Sequence, residues 1–103
     1  MKEYDLYVPL TSNAGTPFPL RKLRGLKRRL IERFGGLTEF PQKQRGYWRL
    51  GNVTFRDEII ILRVLSDDPP SVARGFWREV KLHLKKEWAQ ADVLIVGKSV
   101  TLT

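Results

Sequence analysis

The 103-residue sequence has no cysteine, one histidine, one methionine and only 11 acidic residues against 19 lysines and arginines. Absence of cysteine removes a disulfide frame, a thiolate zinc site and a thiol nucleophile, and suits a cytoplasmic setting. The single histidine, His83, excludes a multi-histidine metal site within one chain and gives no basis for a Ser–His–Asp arrangement. No stretch nears the roughly 18 consecutive apolar residues of a membrane-spanning helix, and Met1-Lys2-Glu3 is too charged to open a signal peptide. A glycine-rich phosphate loop is also missing, because Gly35-Gly36 closes a helical stretch instead of opening one. No metal, cofactor or membrane is expected.

What is present is globular. A hydrophobic share of 42% is too high for a disordered polyelectrolyte, and the length suits one domain over residues 1–103. Tyr4, Leu6, Val8 and Leu10 alternate with polar neighbours as a strand, closed by the turn formers Thr11 to Pro17. From Pro19 to Phe34 the period is helical, with Leu20, Leu23, Leu26, Leu30, Ile31 and Phe34 on one side and arginines on the other. Lys27 intrudes on the apolar arc, where its stem can pack while its head reaches water. Leu37 to Phe40 and Gly46 to Leu50 read as one interrupted or bulged strand, since Pro41 cannot donate to a ladder. Gly51-Asn52 supplies a hairpin turn into a long strand, Val53 to Leu65. Asp67-Asp68-Pro69-Pro70 opens a second helix, with Asp68 as its expected cap, and Val72, Ala73, Phe76, Trp77, Val80, Leu84 and Trp88 as its apolar arc. Asp92 to Leu102 forms the last strand.

The order strand, helix, strand, strand, helix, strand predicts an α+β ferredoxin-like βαββαβ sandwich: a four-stranded antiparallel sheet with both helices on one face. Ile60, Leu62 and Val64 alternate with Ile59, Ile61 and Leu65, so this strand is apolar on both faces while a single helical layer covers only one. An apolar face of several hundred Å² invites burial, either by a homodimer paired through the sheet as a dimeric α+β barrel, the first expectation, or by the stretch Val100 to Thr103 or the Pro41–Arg45 loop folding over it.

The net charge of +8 is concentrated: residues 17–45 hold nine basic residues against Glu32 and Glu39. In the second helix Arg74, Arg78, Lys81 and Lys85 recur within an arc of about 60°. With Arg21, Arg28 and Arg29 they form a candidate surface for a polyanion, nucleic acid first and an acidic protein second. Arg45-Gly46-Tyr47-Trp48 begins like the RNA-recognition octapeptide but departs from it at Trp48 and Arg49, and lies on the second strand instead of the third. Trp77 and Trp88 could each stack a base or a cation, but read first as sealing a core margin or subunit contact. Residues able to do chemistry are few. His83 reads as a core-edge histidine or, functionally, as a general base, and Asp57, Tyr47 and Arg49 lie near one another across the hairpin. Arg45, Arg49 and Arg56 against Asp57 and Glu58 form either a cross-strand ion-pair ladder or the mouth of a polar pocket.

Phe34-Gly-Gly-Leu-Thr38, Gly46-Tyr-Trp48 and Asp57-Glu58 before an Ile-rich strand resemble small uncharacterised bacterial proteins of the ferredoxin-like fold. That resemblance, over about residues 4–96, implies the fold and no activity. Dimeric α+β barrel monooxygenases and isomerases are similar in plan, without catalytic residues that match positions here. The CRISPR-associated small ribonucleases place an Asp after the first strand, where this chain has Leu10-Thr11-Ser12.

Two expectations follow. The first is a non-catalytic, self-associating module that contacts a polyanion through Arg21, Arg28, Arg29, Arg74, Arg78, Lys81 and Lys85. The alternative is a cofactor-free small-molecule enzyme or ligand-binding protein with a pocket between helices and sheet, lined by His83, Asp57, Tyr47 and Arg49.

Overall fold

The computed structural model describes residues 1–90 and 92–103. Strand β1 (Lys2–Pro9), helix α1 (Leu20–Phe34), strands β2 (Thr38–Leu50) and β3 (Val53–Ser66), helix α2 (Pro70–Glu87) and strand β4 (Ile95–Ser99) follow in that order. The strands pair antiparallel throughout in the order β2-β3-β1-β4, consistent with the ferredoxin-like plan.

Period two in the strands and period 3.6 in the helices sort the side chains. Leu6 and Val8 of β1 and Ile60, Leu62 and Val64 of β3 are buried with Leu26 and Leu30 of α1 and Ala73, Trp77, Val80 and Leu84 of α2. The helical layer covers one sheet face, and its two helices are tied at both ends. Arg33 donates to Asp68 at 2.6 Å, Arg29 lies 3.8 Å from Glu79, and the Lys22 ammonium donates to the Glu87 carbonyl. Phe34 packs edge-on against Phe76 and stacks on Trp77. Lys27 does reach outward from the apolar arc, meeting Glu39 at 3.0 Å. Leu20, Ile31 and Val72, expected on the buried arcs, are exposed instead, because each lies at the margin of its stripe.

The chain reverses where its turn chemistry demands. Gly35 caps α1 at φ 80°, and Gly51 turns the hairpin at φ 61°, both left-handed values that glycine adopts freely. β2 is bulged between Phe40 and Gln44, where Pro41 interrupts the ladder. Asp68 does not cap α2; Pro69 occupies that position without a side-chain cap, and Asp68 instead accepts from Arg33. β4 is shorter than the sequence pattern predicts, because Val93 is buried ahead of it and pairing begins only at Ile95.

The uncovered face is less apolar than expected. At one end Arg63 donates to Asp5 through Nε at 2.8 Å and Nη2 at 3.0 Å, and also meets Glu3 at 3.1 Å. Lys98 stands 3.0 Å from the second Glu3 oxygen, and the Arg63 guanidinium lies over Phe40. At the other end β1 stops pairing at Pro9 opposite Ile59, the Leu10 amide makes a last bond to the Glu58 carbonyl at 2.9 Å, and residues 53–57 of β3 are bonded to β2 alone. This two-stranded arm extends beyond the covered sheet. It raises the radius of gyration to 14.0 Å, against about 13 Å for a compact chain of this length.

Candidate functional site

Where the arm leaves the sheet, a cleft of about 480 Å³ opens on the uncovered face. Alternation determines what enters it. Tyr7 and Pro9 of β1 and Asp57 and Ile59 of β3 share that face, and the register sets Gly46 opposite Asp57 and Trp48 opposite Phe55. Gly46 contributes no side chain above its partner, which leaves room over the carboxylate. A Cβ there would meet Ile59 Cδ1 only at 3.8 Å, so the position is open without being strained. The far wall is the segment after α2: Gln90, Asp92, Val93 and Leu94. It is fixed by Tyr7, whose amide donates to the Leu94 carbonyl at 3.1 Å, and by Trp88, which is buried against Phe18. Gln90 is itself buried and donates to the Trp88 carbonyl.

The chemistry of the cleft centres on Asp57. Its Oδ2 accepts a 2.6 Å hydrogen bond from the Trp48 indole, and that indole is held flat against Phe55 with ring centroids 4.4 Å apart. Stacking fixes the ring, the ring fixes the carboxylate, and among the described residues no cation neutralises it within 4 Å. A half-buried, oriented, unpaired carboxylate can accept a proton or hold a cationic centre. Around it stand flat aromatic groups (Tyr7 and Trp48), two amides (Gln44 and Gln90) and a second carboxylate, Asp92. This donor and acceptor set can bind an organic ring together with a polar or charged substituent.

The sequence-derived candidates separate. Asp57 lies in the cleft. Tyr47 borders it, but strand alternation sets it on the face opposite Trp48, and it is 65% exposed. Arg49 is exposed and donates to the Gly51 carbonyl, stiffening the hairpin turn. His83 is exposed on α2, neither at the core edge nor beside Asp57. The cleft that holds Asp57 thus lies not between helices and sheet but on the sheet's other face. No ladder joins Arg45, Arg49 and Arg56 to Asp57 and Glu58 among the described residues, because Arg45 faces Glu58 across the strands without reaching an ion-pair distance and Asp57 turns to Trp48. The basic residues of the two helices do not form one free stripe: Arg29 is paired with Glu79 and lies over Phe76, and Lys85 lies 3.8 Å from Asp92. Tyr7, Gln90 and Leu94 were missed, although the odd positions of the first strand already placed Asp5 and Tyr7 away from the core.

No helix is long and apolar enough to cross a membrane among the described residues. No family model matches the chain, and no curated protein matches it in sequence. Among solved structures it is similar to a phage SAM lyase in complex with S-methyl-5'-thioadenosine, at 15% identity and a TM-score of 0.64 over 95% of this chain and 80% of that one. The likeness carries the fold. It also overturns the expectation of a non-catalytic module that binds nucleic acid through its helices, and with it the leaning against an enzyme: this backbone plan, over nearly the whole chain, is found in an enzyme, and here it frames a cleft with an oriented acid at its floor.

Proposed function

We propose that the chain is a small-molecule enzyme whose site is the open-face cleft, and that its substrate is a nucleoside sulfonium, cleaved to a nucleoside thioether. The observation that carries this reading is Asp57, held by Trp48 at 2.6 Å inside a cleft of about 480 Å³, within the usual range for small-molecule sites. The ligand found in the phage lyase, S-methyl-5'-thioadenosine, supplies the ligand class. The cleft's composition fits that class. Gln44 and Gln90 offer paired donors and acceptors of the kind that read an adenine edge, Asp92 suits ribose hydroxyls, and Tyr7 and Trp48 offer π-faces to a ring or to a sulfonium.

A sulfonium carries its own leaving group, since breaking its C–S bond releases a neutral thioether, and no further activating group is required. We assign proton acceptance to Asp57. A C–H bond next to the carbon bearing sulfur breaks, its proton forms an O–H bond on Asp57, a C=C bond forms, and the C–S pair leaves on sulfur. Trp48 positions the carboxylate throughout. The absence of cysteine fits our placing of this chemistry in the cytoplasm. The exposed apolar rim of the same face (Leu50, Leu65, Leu94 and Val96) is where we place a second copy of the chain. Sedimentation at several concentrations reads the pairing directly, and a monomer at all of them removes it while leaving the cleft.

The test is incubation of the purified chain with S-adenosylmethionine, with thioether release followed by chromatography and S-methyl-5'-thioadenosine binding followed by calorimetry. Thioether release by the wild type, abolished in Asp57→Asn while thioether binding stays within severalfold, is the expected result. Neither turnover nor binding by a folded wild-type chain would overturn the proposal.

A further inference from the structure

On the other side of the sheet, between α2 and β4, lies a groove of about 330 Å³ lined by Tyr4, Arg74, Trp77, Arg78, Lys81, Ile95 and Gly97. Every side-chain polar group in it can donate, and no carboxylate lines it. Arginine, lysine and the indole N–H have no acceptor lone pair to offer, and the Tyr4 phenol can donate as well. Arg74, Arg78 and Lys81 recur at i, i+4 and i+7 of α2, so they stand above one another on one face. Among the described residues none of the three meets a carboxylate within 4 Å, although Arg29, Arg33 and Lys85 nearby all do.

Trp77 adds an independent sign. It is 6% exposed, and its Nε1–H is shut off from solvent with no acceptor among the described residues. An indole donor left unpaired in a core costs on the order of a hydrogen bond's desolvation, and native structures seldom tolerate it without a reason. Gly97 keeps the groove's far wall low. A Cβ there would collide with the Tyr4 ring at 2.7 Å, so the ring lies against bare strand backbone and also packs 5.3 Å from Trp77.

A groove whose polar side chains can all donate, with three positive charges that meet no carboxylate among the described residues, calls for a small anion rich in acceptors. We propose that the α2–β4 groove is a binding site for a single phosphate group, held by Arg74, Arg78 and Lys81, with the Trp77 indole N–H, closed to solvent in the free chain, turning into the groove to complete the donor set. Two arginine forks suit the tetrahedral oxyanion, and three cations suit a dianion better than a monovalent carboxylate. The site is a pocket for one small anion and not a track for a polymer: Arg21, Arg28, Arg29 and Lys85 take no part in it. It is also independent of the cleft, which lies on the opposite sheet face.

The three tryptophans make the test internally controlled. In a ¹H–¹⁵N spectrum of the full chain with the indole signals assigned, inorganic phosphate is titrated at constant ionic strength, with acetate and chloride as comparison anions. The Trp77 indole signal is expected to shift saturably with phosphate, while Trp48 of the cleft stays still. Arg78→Gln/Lys81→Gln is expected to weaken the response roughly tenfold without lowering the thermal midpoint, because Arg78 is exposed and Lys81 only half-buried. A Trp77 signal that never moves, that moves equally with acetate or chloride, or that responds unchanged in the double variant overturns the proposal. S-methyl-5'-thioadenosine added to the same sample reports on Trp48, so failure of the cleft reading would be seen separately.

Discussion

A single hydrogen bond organises the cleft, from the Trp48 indole to Asp57, and its geometry comes from stacking on Phe55. Trp48→Phe keeps a ring on Phe55 and releases the carboxylate. Thioether affinity is expected to fall about tenfold by calorimetry, with stability changed by no more than about 2 kcal/mol in urea unfolding. His83 gives the opposite expectation. It is exposed and absent from the cleft, so His83→Ala should leave turnover unchanged and stability within about 0.5 kcal/mol. A large loss of thioether release in that variant would move the chemistry to α2.

Among the elements, α2 ends under strain. Trp88 must stay buried, so the chain leaves the helix at Ala89 with φ 50°, in the left-handed region where α1 uses Gly35. Ala89→Gly is expected to raise the unfolding free energy by about 1 kcal/mol in denaturant titration. Most of this level was legible beforehand. Leu26 and Leu30 repeat at helical spacing, Ile60, Leu62 and Val64 at strand spacing, and Gly35 and Gly51 mark reversals, because each signal is local to a few residues. The cleft was legible only in part. Asp57 could be singled out, and the turn at Gly51 already pairs Leu50 with Val53 and so Trp48 with Phe55, but that the Trp48 indole reaches diagonally to Asp57 depends on its side-chain rotamer, which no local pattern gives. Tyr7, Asp57 and Gln90 meet only through the strand order and the path of the chain after α2. His83 misled because a helical wheel shows angle and not how far the neighbouring layer extends.

For the molecule as a whole, the ionic cluster at the other end of the open face matters more than the net charge. The Arg63 guanidinium is raised above its ordinary pKa, first by its hydrogen bond to Asp5 and against the effect of burial. A cation raised in this way stabilises the fold at every pH below its free value, and the contribution fades only as strongly alkaline solution is reached. Arg63→Met leaves Glu3 and Asp5, 12% and 16% exposed, facing each other with Lys98 alone to offset them. The loss should be about 2 kcal/mol at neutral pH by thermal unfolding.

The overhanging β2–β3 arm has one more consequence. A ribbon of two strands with nothing beneath it is anchored at one end only, and its bulge at Phe40 to Gln44 is the natural flexing point. It behaves as a springboard, with the acid and the indole riding near its root. Occupancy of the cleft should damp that spring: amides of residues 45–58 should exchange with deuterium more slowly once a thioether is bound, while those of β1 stay as they were.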